Sequence, residues 1–335
     1  MTLKRLRGLL LLPLLLLGGC KLVLLDPSGD VARQQSDIMI TTTAIMALII
    51  VPVLIAIAVV AWRYRASNRQ AEYDAEWDHS PQLELLVWAG PLLIIMAVGA
   101  ISWIGTHMVD PYRPLDRIAS GKSVSAHVKP LEVDVVSLRW KWLFLYPQYG
   151  IATVNQLAAP VDRPIRFKLT ADAMMDSFFV PALVGQIYTM PGMQTILNGV
   201  INKPGEYRGF SANFSGSGFT DMRFKFLGMR RQDFDQWVAK VRAAGGDLDR
   251  TAYDRLRQPS RNAPVHYYAR FDADLYHRIL NLCVDPGQEC ESQMMAADAR
   301  AGESMQAMRG HAAKSARPMP TDASRPVPAQ AAATH

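Results

Sequence analysis

Three long apolar runs occupy the first third of the chain, and shorter alternating stretches follow. Leu9–Leu17 is leucine-rich and lies behind a basic stretch of Lys4, Arg5 and Arg7. It is too short to span a bilayer, which needs about 20 apolar residues, and it has the layout of an export signal. Ile38–Trp62 and Leu85–Thr106 contain no charged residue. Each is long enough for one transmembrane helix, and the prolines at 52 and 91 are tolerated inside such helices. Trp62, Tyr64, Trp88 and Trp103 sit near the ends, where interfacial aromatics anchor.

From Leu131 the period changes to two. Leu131, Val133 and Val135 alternate with other residues, as do Ile165, Phe167 and Leu169, and Met222, Phe224 and Phe226. Turn signals separate these runs at Tyr149-Gly150, Asp162-Arg163-Pro164, Pro191-Gly192, Lys203-Pro204-Gly205 and Ser215-Gly216-Ser217-Gly218. Short strands at this spacing predict a sandwich or barrel. Over Gln232–Leu256 the pattern becomes helical, with Phe234, Trp237, Val238 and Val241 on one face, and Phe271–Leu282 predicts a further helix. Beyond Cys283 the chain is rich in Ala, Met, Ser and Pro, and a tail without fixed structure is expected.

The small residues before Cys20, in Leu17-Gly18-Gly19-Cys20, resemble a bacterial lipobox. There the cysteine thiolate takes a diacylglycerol and becomes the first residue of the mature chain. The alternative is an ordinary signal peptide with a chance cysteine. With Cys20 outside, the first helix runs inward, and Arg63, Arg65 and Arg69 follow it on the cytoplasmic side, as the positive-inside rule requires. The second helix returns outward and delivers the rest of the chain to the periplasm. The expected divisions are a signal peptide (1–19), a periplasmic segment (20–37), helix one (38–62), a cytoplasmic loop (63–83), helix two (84–107), a β domain (108–228), a helical extension (229–282) and the tail (283–335).

Charge adds little. The 335 residues carry a formal net charge of +6, without a Lys/Arg block interleaved with aromatics, so nucleic acid is not an expected partner. Of the three cysteines, Cys283 and Cys290 lie in an oxidising compartment and are candidates for a disulfide. No CxxC or Cys/His cluster of zinc spacing exists. The tail's His311, His335, Met294, Met295, Met305 and Met308 could bind stray copper, or could simply be solvated.

Two helices leading to an exported β domain resemble subunit II of haem-copper oxidases. The motifs that carry the resemblance are Ser177-Phe178-Phe179-Val180-Pro181-Ala182-Leu183, Met190-Pro191-Gly192-Met193, Gly205-Glu206-Tyr207-Arg208-Gly209 and Trp140-Lys141-Trp142, in the family's order. The resemblance covers residues 20–282. It implies two transmembrane α-helices followed by an all-β cupredoxin-like sandwich. Members that accept electrons from cytochrome c hold two coppers between cysteines, histidines and a methionine. Here the corresponding positions are Asp176, Ser211, Asn213, Ser215, Phe219 and Met222. Copper favours soft and borderline donors, and a lone thioether cannot hold two ions, so the copper site is expected to be vestigial. Met222 is expected in the core and Asp176 as a hydrogen-bonded polar residue.

This pattern of loss looks like the bo-type ubiquinol oxidases, in which serines replace the cysteines. That resemblance implies a proton-translocating complex that oxidises ubiquinol. Haems and copper would reside in a partner subunit I, with subunits III and IV and membrane lipid as further partners, and this chain would bind no cofactor and carry no catalytic group. Cytochrome c is not an expected partner. Sixteen Lys/Arg against eleven Asp/Glu between Asp110 and Lys240 leave a net +5 on that surface, which offers a basic donor little steering. Family members carry a glutamate at the cytoplasmic start of the second helix, at the mouth of a proton channel, and Glu84 stands at that place. It is a candidate for proton uptake, or a carboxylate stabilised by the helix N-terminus. Two rivals remain open: a cytochrome c oxidase subunit II with a copper centre, and a free lipoprotein with a cupredoxin-like binding module.

Overall fold

The structure is a computed structural model that describes residues 22–315 except 73 and 126, with side chains to 306. Cys20 and the signal segment lie outside the described residues. Two helices are long and apolar enough to cross a membrane, α1 (Asp30–Arg63) and α2 (Pro81–Met108), and their most apolar windows are wholly exposed. Pro81 starts α2 at a position where its missing N–H costs nothing.

Helix α1 begins eight residues before the uncharged run, inside the stretch set apart from helix one as a periplasmic segment (20–37). Sequence pattern could not show this, because Asp30–Asp37 is polar. Tertiary packing decides it: Asp30, Val31, Ala32 and Ser36 are buried where the start of the helix meets the β domain.

Eleven strands form a sandwich among the described residues: β1 (Leu131–Leu138), β2 (Lys141–Tyr146), β3 (Ile151–Val154), β4 (Gln156–Pro160), β5 (Ile165–Ala171), β6 (Asp176–Val180), β7 (Val184–Thr189), β8 (Thr195–Gly199), β9 (Gly205–Ser211), β10 (Arg223–Met229) and β11 (His266–Tyr268). One sheet has the order β8-β5-β1-β2-β3-β11 and the other β4-β10-β9-β6-β7. Pairing is antiparallel except for β1 with β5 and β10 with β4, which are parallel.

The alternation of β1 places Leu131, Val133 and Val135 between the sheets, with Phe144, Phe167, Phe178, Phe224 and Phe226. Phe178 and Phe224 stack at 5.3 Å, and Trp142 meets both edge-on at 5.4 and 5.8 Å. Helix α3 (Arg231–Ala243) buries Phe234, Trp237, Val238 and Val241 against the same core.

The other face of β1 is also covered. Val136 and Leu138, with Leu143, Leu145 and Val154, form a second core under Leu248, Tyr253, Leu275 and Ile279 of the C-terminal extension. This corrects the expected boundary at residue 228. The extension is not a helical appendix: it supplies β11 to the six-stranded sheet by antiparallel pairing of Tyr268 with Ala152 and His266 with Val154. The helix read over Gln232–Leu256 is likewise two helices, α3 and α4 (Arg250–Leu256), parted at Gly245 and Gly246. Both glycines are left-handed, with φ of 74° and 82°. The helix expected over Phe271–Leu282 is shorter, α5 (Leu275–Leu280).

Residues from Asp285 onward form a separate unit. The tail expected to lack structure from Cys283 instead carries a helix, α6 (Glu291–Ser315). Its alanines, methionines and charged residues are good helix formers, so local propensity outweighs the low hydrophobicity. Cys283 and Cys290 are both in the disulfide form.

Candidate functional site

Strand β6 points Asp176 inward at the end of the sandwich, where β9 ends at Ser211 and the loop to Met222 begins. The carboxyl is fully buried. Ser137, the penultimate residue of β1, donates its hydroxyl to Asp176 Oδ2 in a short hydrogen bond. Ser211 Oγ lies 3.2 Å from Asp176 Oδ1 and 3.2 Å from the Asn213 carbonyl, with its single proton shared between them. The Ser177 N–H donates to Ser211 Oγ at 3.4 Å. The Ser215 hydroxyl, buried and without a partner in full hydrogen-bond geometry, also favours the same carboxylate.

Burial pushes the Asp176 carboxyl above its ordinary range, and the hydroxyls of Ser137, Ser215 and Ser211 pull against that rise. The result is a carboxyl held by hydroxyls, a closed hydrogen-bonded group. Ser137 was not singled out from sequence. A serine in a β-strand carries no signal until its partner 39 residues away is placed beside it.

The remaining positions do not converge on a metal-sized space. Met222 is fully buried; its carbonyl accepts from the Ser211 N–H at 3.1 Å, and its own N–H donates to Phe219 O. Phe219 starts a short 3-10 turn and lies edge-on to the exposed Phe214 at 5.8 Å. The Asn213 side chain donates to the Met175 carbonyl at 3.3 Å. Among the described residues, no group of three or more His, Cys, Asp or Glu is placed to hold a metal ion. The hard oxygens of Asp176 are engaged by hydroxyls, one thioether is present, and an aromatic ring stands where a histidine would be. These residues do not fit a binuclear copper centre.

Trp140 underpins the loop. Its backbone is left-handed, with φ of 65°, and its indole Nε1–H donates to the Ser215 carbonyl at 2.9 Å. Glu84 lies apart from this site, exposed in the first turn of α2, with its N–H donating to the Ser80 carbonyl at 2.9 Å.

The COX Aromatic Rich Motif family matches residues 242–287, the part of the extension that covers β1. The cytochrome bo(3) ubiquinol oxidase subunit 2 of Pseudomonas putida is 46% identical over 278 residues, spanning 83% of this chain and 86% of its own length. The chain belongs to the family of ubiquinol oxidase subunit 2 proteins.

The ubiquinol oxidase subunit 2 of Acetobacter aceti is 44% identical over 266 residues, 79% of this chain and 84% of that protein. Among solved structures, the periplasmic domain of subunit II of cytochrome oxidase from Bradyrhizobium japonicum matches at 21% identity and a TM-score of 0.32, covering 33% of this chain and 91% of that one. The described residues form a two-sheet β sandwich behind two apolar helices, and the relatives are named as subunits of ubiquinol oxidases. The two long apolar helices and the family relationship together make the chain a membrane protein. Family membership also disposes of the free-lipoprotein alternative. The aromatic-rich motif was missed from sequence, although Tyr253, Tyr267, Tyr268, Phe271 and Tyr276 within 24 residues were its visible trace.

Proposed function

We propose that this chain serves its oxidase as a subunit II without a redox centre, in a complex that draws electrons from ubiquinol. The observation that carries the reading is the Asp176 group. Where electron-accepting relatives would need thiolates and imidazoles, Ser137, Ser211 and Ser215 satisfy a carboxylate, and the loop offers one sulfur. Serine hydroxyls stay protonated near neutral pH and cannot bridge two coppers.

With no electron port on the sandwich, the overall reaction is two quinols and one dioxygen giving two quinones and two waters. Four electrons pass to haem and copper centres in subunit I. This chain binds none of those cofactors. Its contribution is a rigid periplasmic body joined to two membrane helices, assembled with subunits I, III and IV and with lipid attached at Cys20. Cytochrome c is not a donor.

Proton translocation belongs to the complex, and Glu84 is this chain's candidate for it. An exposed carboxylate in the first turn of α2, at the cytoplasmic face, can collect protons from water and pass them to an adjacent channel. The same position also suits the positive end of the helix. Glu84→Gln removes the titrating group at nearly unchanged size, and helix stability measured beside pumping separates the two roles. Lower pumping and turnover support proton uptake; unchanged rates remove Glu84 from it.

The main reading is tested on the purified complex. Metal analysis should find no copper attributable to this subunit, and ubiquinol should be oxidised far faster than reduced cytochrome c. Two coppers held by the sandwich, together with rapid cytochrome c oxidation, would overturn it.

A further inference from the structure

The residues between Cys20 and α1 have no assigned use. Leu22–Leu25 form a tight turn, closed by the N–H groups of Leu25 and Asp26 donating to the Leu22 carbonyl at 2.9 and 3.3 Å. All four side chains face outward: Leu22, Val23, Leu24 and Leu25 are 59%, 49%, 52% and 49% exposed. Four consecutive half-exposed aliphatic side chains are a contiguous apolar surface of the kind that marks an interaction site.

The turn hangs from a fixed strap. The N–H groups of Ser28 and Gly29 donate to the Ala182 carbonyl at 3.0 and 2.8 Å, and the Asn202 N–H donates to the Ser28 carbonyl at 2.9 Å. Gly29 makes an antiparallel bridge with Ile201. Lys203 pairs with Asp26 at 3.1 Å. One residue further, the buried Asp30 accepts from Arg117 Nε at 2.8 Å and from Gln34 at 2.9 Å. The apolar turn is therefore held at a set height on the domain.

Chain length says what covers it. The uncharged run of α1 starts at Ile38, eight residues after Asp30. At about 1.5 Å per residue, Asp30 stands roughly 12 Å above the start of the hydrocarbon-spanning run. Cys20 precedes Asp26 by six residues, a reach of at most about 20 Å when fully extended. A diacylglycerol on Cys20 must lie in the outer leaflet, so the chain descends from Asp26 to the bilayer across this stretch.

We propose that the Leu22–Leu25 turn rests in the outer-leaflet interface of the phospholipid bilayer, as a second apolar contact beside the Cys20 lipid. An apolar surface beside the lipid adds buried area at the interface and fixes where the chain meets it. Through the strap, this contact fixes the sandwich's height over the membrane at Ala182, Ile201 and Lys203. The inference rests on the reading of Cys20 as a lipid site, and the experiment separates the two.

A nitroxide is placed at Leu24→Cys in the whole complex in phosphatidylcholine nanodiscs, with Val265→Cys as an exposed control on the sandwich. Collisions with oxygen, which concentrates in the bilayer, are compared with collisions with a water-soluble nickel chelate. The expected result is an oxygen-to-nickel ratio several-fold higher at position 24 than at 265. A ratio equal to the control places the turn in water and overturns the proposal. Low collision with both probes places it against protein and also overturns it. The mass of the N-terminal peptide from the same preparation reads lipidation separately. An unlipidated Cys20 with an oxygen-favoring label would refute the lipid site while leaving the turn in the membrane.

Discussion

The indole of Trp140 occupies the space that a side chain at residue 218 would need. A Cβ built on Gly218 would overlap atoms of that ring, while Nε1 of the same indole holds the Ser215 carbonyl three residues earlier. The serine loop is thus seated on one aromatic ring, and the glycine is what lets it sit so low. Gly218→Ala should force the indole off the loop and break its hydrogen bond. Overpacking of this kind costs about 1–3 kcal/mol. The check is a lower thermal midpoint for the periplasmic domain, followed by tryptophan fluorescence in the purified complex. An unchanged midpoint would mean that the loop moves freely.

Asp134 makes stability depend on pH. It lies on the outer face of β1 under the extension, 6% exposed, with Oδ1 unpartnered. Burial raises its carboxyl to about 6; Lys168 opposes the rise and Glu132 adds to it. The folded pKa is above the unfolded 3.8, so the folded state holds the proton more tightly. Stability is therefore greatest below pH 4 as far as this group is concerned, and falls as pH rises to about 6. By linkage the fall is about 3 kcal/mol. Asp134→Asn should remove that slope and stabilise the domain at pH 7, as denaturant titrations at pH 4.5 and 7 would reveal. A variant with the same slope as the parent would exonerate Asp134.

Asp176 behaves in the same direction. Its raised pKa means that protonation favours the folded state, and the surrounding hydroxyls moderate the effect. Ser137→Ala removes one donor to the buried carboxyl. A loss of about 1–3 kcal/mol at neutral pH is expected, and less in acid, where the carboxyl is neutral. Comparing unfolding midpoints at the two pH values tests this. An equal loss at both would assign the cost to packing instead of charge.

Lys141 ties the extension to the sandwich. Its nearly buried ammonium donates to the carbonyls of Leu256, the last residue of α4, and Gln258, both at 2.7 Å. Burial lowers its pKa. Lys141→Met keeps the aliphatic stem but leaves two carbonyls without that donor. Faster amide hydrogen exchange over 250–268 is expected, with little change in β5 or β8. Uniform protection across the extension would show that the apolar contacts suffice.

Much of this architecture was legible before folding. The uncharged runs required two helices because no other element satisfies its backbone in lipid. Alternation at 131–135, 165–169 and 222–226 required strands with one apolar face. The residue types at 176, 211, 213, 215, 219 and 222 supply one thioether and no thiolate or imidazole, whatever the geometry, since ligand chemistry is a property of the side chain.

Tertiary structure alone decided the rest. Residues 30–37 became helix because the domain buries one side of them. The His266–Tyr268 strand left an extension that reads as helical because a sheet edge was available beside Ile151–Val154. Ser137 and Trp140 joined the Asp176 group and the Ser211–Met222 loop from 39 and 75 residues away, and Asp134 acquired its proton affinity only when a helical cover shut out water. Period and composition report on neighbours in sequence. Contacts between distant segments, and the desolvation they impose, exist only once the chain has folded back on itself.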